Sequence, residues 1–303
     1  AQEAARVRFA LLQLLNTSLL AHFKYVFTGY TDRPHTLGAE LAALRELVFP
    51  EVKQHFWQKC LDASAPVQPP AWSKANPPPV VTVNRHRAAK ERADRRAKTR
   101  NSIFAQLVQQ LSDVERRVMV RRDRCFKVKF AGEAADDYGG PYREVFTMLC
   151  SELQNEAVLP LLLQTPNGQH NVGSNRDRFI MQPSALSTEH LQWYEFLGVL
   201  MAMSLLQKET TISLSLCSVV WKQLVQQAAD TSDLAGFDEM VNNSLFKIEH
   251  IEDEGVDEEL FSDLIFESFT TVLSNNVEVE ICEGGANFDV TWHNRARYCE
   301  LVR

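Results

Sequence analysis

The chain has 303 residues, 45% of them hydrophobic and 23% charged, enough apolar material for one or two globular domains with sizeable cores. A formal net charge of −7 argues against a generic nucleic-acid binder. The most apolar run, Phe196 to Leu206, is well short of the roughly 20 residues that cross a bilayer, and Ala1 opens no signal-peptide pattern, so a soluble, cytoplasmic piece of a longer protein is expected.

Residues 1–63 predict a helical extension. Phe9, Leu12, Leu15, Leu19, Phe23 and Phe27 recur at helical spacing, and Leu41, Leu44, Leu47 and Phe49 resume it after Pro34. Residues 64–82 carry Pro66, Pro69, Pro70 and Pro77 to Pro79, which remove backbone donors and predict a connector.

From Arg85 to Arg124 the chain is strongly basic, which could serve nucleic acid or acidic lipid. Glu91, Asp94, Asp113, Glu115 and Asp123 are interleaved, however, and Ile103, Phe104, Leu107, Val108 and Leu111 form an apolar face beside them. Helices packed on one side and solvated on the other fit this pattern better.

Phe126, Val128 and Phe130 alternate with Lys127 and Lys129, the period of a half-buried strand. Gly139 and Gly140 then turn the chain, and Pro141 suits a first helical turn. Neither the lysine and hydroxyl of a phosphate loop nor the three spaced glycines of a dinucleotide fingerprint follow, and acidic residues precede the turn, so no nucleotide or other cofactor is expected.

Val145 to Leu153 predict a buried helix, and residues 159–183 short strands with loops at Pro166-Asn167-Gly168 and Gly173-Ser174-Asn175, with Phe179, Ile180 and Met181 in the core. Ser187 caps a second helix running to Leu206 that is apolar on nearly every face and therefore predicted central. A lone histidine in its first turn, His190, reads as a satisfied structural group. Residues 207–236 predict further helix.

Phe237, Val241, Leu245, Ile248 and Ile251 fall at helical spacing before an acidic run from Glu249 to Glu259. Val277, Val279 and Ile281, turned at Gly284-Gly285, predict a hairpin with Phe288, Val290 and Trp292. Asn294 is a candidate cap for a last helix whose apolar stripe breaks off, which predicts truncation.

The six cysteines, Cys60, Cys125, Cys150, Cys217, Cys282 and Cys299, are scattered without any C-x-x-C pair, so neither a disulfide framework nor a metal site is expected. Cys299 lies six residues after His293, but no third orienting group is evident.

Two stretches resemble the amino-terminal lobe of HECT-type ubiquitin ligases. The first is Gly132-Glu133 followed by D-Y-G-G-x-x-R-E-x-F from Asp137 to Phe146; the second is E-H-L-x-x-Y-x-F with Glu189, His190, Leu191, Tyr194 and Phe196, and Gly198 one place late. The likeness covers about residues 80–303, and the front helices resemble the extension in the giant, RCC1-repeat-bearing HERC branch. It implies an α+β, predominantly helical fold, with a large subdomain at 83–236 and a small helix and hairpin subdomain at 237–303.

The resemblance further implies that Asp137, Gly139, Gly140, Arg143 and Glu144 hold the lobe together without bond chemistry. It places Val241, Ser244, Leu245, Ile251, Leu260 and Phe261 on a groove that docks a ubiquitin-conjugating enzyme (E2), although the family often has an aromatic residue at Ile251 and a methionine near Leu260. Implied partners are the ubiquitin-charged E2, a protein substrate and the protein's own carboxy-terminal lobe. No cysteine here sits in the family's T-C-F-N pattern, so no catalytic residue is expected in this chain; a non-catalytic scaffold with the same lobe is the alternative.

Overall fold

The computed structural model describes residues 2–26, 33–64, 77–93, 99–119, 121–133, 139–207 and 210–303. The chain divides into two compact units, residues 1–69 and 70–303. Helices dominate and the strands are short, an α+β fold.

The first unit contains α1 (Gln2–His22), α2 (Leu37–Ala43) and α3 (Pro50–Ser64). Leu19, Val52 and Phe56 form its core, with Leu15 and Phe23 packed against it. Buried Asn16 donates to the Leu12 and Leu47 carbonyls and accepts the Phe49 amide at 2.7 Å, which ties α1 to the segment before α3. Phe9, expected on the buried face, is 56% exposed, because the core reaches only the second half of α1. Phe27 lies outside the described residues.

The second unit opens with β1 (Val80–Val83), α4 (Arg85–Ala93), α5 (Ile103–Leu111), α6 (Arg116–Met119) and β2 (Lys127–Phe130). The β-branched run at Val80–Val83 pairs as a strand where the sequence predicts connector, a correction for residues 80–82. β1 and β2 are parallel, in register from Val80–Lys127 to Val83–Phe130, with the helical crossover that parallel pairing requires. Val81, Val83 and Val128 turn inward beneath α5 and α7 (Gly140–Leu153). Ser102 caps α5 by accepting the Ala105 amide at 3.1 Å.

Chain order continues with β3 (Leu162–Gln164), α8 (Pro166–Gln169), β4 (Phe179–Met181) and α9 (Thr188–Leu206). These elements share one large core, in which Phe104 meets Trp193 and Phe196 edge-on at 5.8 and 5.7 Å. Buried Tyr142 donates to the Gln207 side chain at 2.9 Å. Three expectations need correction here. Pro166-Asn167-Gly168 form a helical turn capped by Thr165 rather than an open loop. Met181 is 40% exposed, because a strand shows its alternate residues to solvent. Helix α9 is not buried all round: Trp193, Phe196, Leu200 and Met203 face the core, while Leu191 and Leu205 are exposed.

Residues after α9 are not one long helix but an extended stretch, bridged to β4 at Leu216, then α10 (Ser218–Leu224) and α11 (Thr231–Phe237). Then come α12 (Glu239–Glu249), α13 (Glu258–Leu264), β5 (Thr270–Val272), β6 (Glu278–Glu280) and α14 (Arg295–Val302) around a second, smaller core. The predicted hairpin is also corrected: β6 pairs with the preceding β5, not with Phe288–Trp292. Asn276, at φ +61°, makes the turn between them, while the later segment contributes a single bridge, Ser268 to Asp289. Among the described residues, no helix is long and apolar enough to cross a membrane.

Candidate partner-docking surface

The glycine turn before α7 is built as its residue types require. Gly139 adopts φ +107°, and a Cβ there would collide with the Arg124 guanidinium. Gly140 and Pro141 start the helix. Glu144 accepts from Arg85 at 2.5 Å, Glu133 pairs with the same guanidinium, and that guanidinium lies over the Phe130 ring at 4.1 Å. Arg143 is exposed and lines a groove of about 880 Å³ with Thr147, Ser151 and Ser213. Asp137 lies outside the described residues.

Arg85, Arg116 and Arg121, from the basic stretch, each pair with a carboxylate, and Arg121 is 2% exposed while gripping Asp123 through two bonds of 2.7 Å. His190 stacks edge-on to Trp193 at 6.1 Å, and its buried Nδ1 has no hydrogen-bond partner among the described residues, unlike the satisfied group the sequence suggests.

The residues expected to form a docking groove separate into two sets. Leu245, Ile251 and Phe261 are 2%, 7% and 1% exposed and belong to the smaller core; Phe261 meets Trp292 edge-on at 5.9 Å. The resemblance implies an exposed groove at these positions, but they lie inside: a small unit must put the apolar stripe of α12 and the inner face of α13 into its own interior before any surface is left over. Val241 is half-buried and packs against that core. Ser244 and Leu260 are exposed, Leu260 at 48%.

What remains outside is apolar as well. Leu264 follows Leu260 by one turn of α13, so both lie on one helix face, and Phe266 just beyond is 85% exposed. Met240 and Phe246 are exposed on α12, with Phe246 stacked on His250 at 4.4 Å. Exposed Glu259 and Asp263 flank Leu260 and Leu264 on α13, and Asp253 and Glu254 are exposed in the turn before it. Leu264 and Phe266 went unnoticed in the sequence, although the Leu260-to-Leu264 spacing beside polar Ser262 and Asp263 was a usable signal.

Polar side-chain pairs link α14 and the segment before it to the rest of the smaller unit. Arg295 reaches Glu252 at 2.7 Å while lying over Trp292 at 4.0 Å, Arg303 pairs with Glu249, and His293 meets Glu258 at 3.0 Å. The Arg303 guanidinium holds the Glu249 carboxyl below its ordinary range. Cys299 is fully buried with Sγ 3.5 Å from the Leu245 carbonyl, and burial pushes its thiol up; His293 is engaged elsewhere. Burial likewise pushes Cys125 up to about 12 and raises Cys150. Among the described residues, no cluster of three His, Cys, Asp or Glu side chains could hold a metal ion.

A family model described as HECT-domain (ubiquitin-transferase) matches residues 147–303. The human E3 ubiquitin-protein ligase HERC2 is 32% identical over 201 residues, covering 66% of this chain and 4% of that protein. The human probable E3 ubiquitin-protein ligase HECTD4 is 28% identical over 327 residues, covering 99% of this chain and 8% of that protein. A third human relative, the E3 ubiquitin-protein ligase HECW1, is 31% identical over 175 residues, or 58% of this chain and 10% of that protein. The chain thus spans a small fraction of each relative. The family match covers over half of the chain and includes α9, α12 and α13, so the resemblance read from the sequence holds, and this chain belongs to the HECT-domain (ubiquitin-transferase) family.

Proposed function

We propose that residues 237–303 recruit a ubiquitin-charged conjugating enzyme (E2) through the exposed face of α12 and α13. Residues 83–236 act as the supporting platform, preceded by a helical extension at 1–63 and a connector at 64–82. Ubiquitin would pass to a cysteine outside this chain, in a carboxy-terminal lobe of the parent protein, and then to a lysine of a protein substrate in the cytoplasm.

The observation that carries this is the row Leu260, Leu264 and Phe266, left exposed by a unit whose core is already closed by Leu245, Phe261 and Phe269. Exposed apolar side chains ringed by charge are a common form of protein-docking site. Of the residues expected to make contact, Ser244 and Leu260 would touch the partner, Val241 would lie at the margin, and Leu245, Ile251 and Phe261 would hold α12 and α13 in place from within. Carboxylates on and before α13 would favour a partner face that is apolar at its centre and basic at its edge.

A thiol that receives ubiquitin must ionise and be reached, whereas Cys125, Cys150 and Cys299 are buried with raised pKa values, Cys217 is buried, and the more accessible Cys60 and Cys282 lie outside the family's T-C-F-N pattern. The chain alone is therefore expected to form no reducible ubiquitin adduct when mixed with activating and conjugating enzymes.

The test is titration of a stably ubiquitin-linked conjugating enzyme into the wild-type chain and into Leu260→Glu. Association should weaken about tenfold or more with the melting temperature unchanged, as for loss of an anchor in a small cluster. Equal affinity for both would reject the face.

A further inference from the structure

The two cores of residues 70–303 meet unevenly. On one side lies an apolar cleft of about 530 Å³, lined by Ile180 and Leu224 of the larger core's elements and by Val241 and Val272, with Phe237 packed against both cores at its edge. On the other side the turn at 165–176 reaches across with directed hydrogen bonds. Asn167, fully buried, supplies two of them: Oδ1 accepts the amide of Glu239, the first residue of α12, at 2.7 Å. Its Nδ2 donates to the Ala235 carbonyl in α11 at 3.1 Å and to Ser174 in its own turn at 3.0 Å.

Neighbours extend the bracket. Asn175, at φ +53°, donates to the Gly236 carbonyl at 2.9 Å, and Gln169 donates to Ser274 beyond β5 at 3.2 Å. Gly173, at φ +58°, sits against α12, where a Cβ would displace the end of the Glu239 side chain, so glycine suits this close approach. Lys222 adds a second tie on α10, bonding Asp230 at 2.8 Å and Asp233 at 2.6 Å.

Apolar packing resists separation but sets angle weakly, and here one flank of the joint is an open cleft. Hydrogen bonds fix direction, and buried ones are costly to leave unmade. We infer that Asn167 is a positioning residue: it sets the angle at which the smaller core presents the α12–α13 face, and so where a docked conjugating enzyme points. The inference rests on the recruitment reading above for its purpose, though not for its geometry.

Residual dipolar couplings of the full chain test the geometry without any partner. In the wild type, one alignment tensor should fit amides of the larger core (103–206) and of the smaller core (239–302). In Asn167→Ala the smaller-core couplings should fall by about half or more as its angle spreads, while hydrogen-exchange protection inside both cores persists; a merely destabilising change would lower protection and leave the shared tensor. Should Asn167→Ala fail to fold, Asn167→Asp keeps the acceptor for the Glu239 amide, loses both donations, and should give an intermediate reduction. Undiminished couplings under one tensor would overturn the assignment.

A second measurement separates this from the recruitment reading. Affinity for the ubiquitin-linked conjugating enzyme should match wild type within about twofold in Asn167→Ala, because the contact face lies wholly on the smaller core. No binding to the wild type would sink recruitment and leave the bracket standing on its couplings. Unchanged couplings with normal binding would sink the bracket and leave recruitment standing.

Discussion

The larger core holds Phe104, Phe126, Tyr142 and Phe146 at or below 1% exposure, under helices on several sides. The smaller core buries Phe261 and Phe269 as completely, yet keeps Leu260, Leu264 and Phe266 of the neighbouring positions in solvent. Both units leave apolar residues outside, Leu186, Leu191 and Leu205 on the larger and Leu260, Leu264 and Phe266 on the smaller, but this surplus on the smaller unit is gathered on one short helix and its end. In a family whose named relatives are ubiquitin ligases, that surplus is where a partner is most economically sought.

The comparison is broken or sharpened first by truncating one core at a time. Phe104→Ala should cost about 3–5 kcal/mol in urea unfolding, as for a fully buried aromatic residue. Phe261→Ala should cost about 3–5 kcal/mol as well, but hydrogen exchange should then rise over 239–302 while 103–206 stays protected. Simultaneous loss of protection in both would show a single cooperative unit instead of two cores.

Salt gives a smaller effect on the surplus face. If acidic Asp253, Glu254, Glu259 and Asp263 steer a basic partner rim, raising ionic strength from about 0.05 to about 0.5 M should weaken association several-fold, mainly through the on-rate. An association indifferent to salt would make the contact purely apolar.

Acid tests the joint between the cores. The Lys222 ammonium, aided by Ser232, holds the Asp230 carboxyl well below the ordinary carboxylate range. A depressed folded-state pKa means stability that is fully present above the unfolded value, near about 4, and lost as pH falls through the folded one. Protection of α11 amides should therefore decline on acidification below about pH 4, and Lys222→Met should flatten that decline.

The smallest response is expected from the thiols. A mild alkylating agent at neutral pH should modify exposed Cys60 and spare buried Cys125, Cys150, Cys217 and Cys299. Rapid labelling of Cys299 would mean that the smaller core opens readily, against the sealed interior argued from Leu245 and Phe261.

Much of the larger core was legible in the sequence. Ser102 before Ile103, Phe104, Leu107 and Leu111 marks a capped amphipathic helix, and the alternation from Phe126 to Phe130 marks a strand, because each pattern follows from backbone geometry alone. The short strand Thr270–Val272 was missed, since three residues are too few for a period to show, although Asn275-Asn276 between Val272 and Val277 was a hairpin signal. The burial of Leu245, Ile251 and Phe261 was not legible for a deeper reason. An apolar stripe such as Val241, Leu245 and Ile248 reports that something must cover it, not whether the cover is the chain itself or another protein.

The sequence by itself determined family, fold class and most helices, because motif spacing and hydrophobic period are local properties that survive without coordinates. Only the tertiary structure decided that Leu245, Ile251 and Phe261 lie inside while Leu260 lies outside, and that Asn167 reaches α12 from 72 residues away in the chain. Burial and long-range hydrogen bonds depend on which surfaces meet, and no local pattern along the chain encodes that meeting.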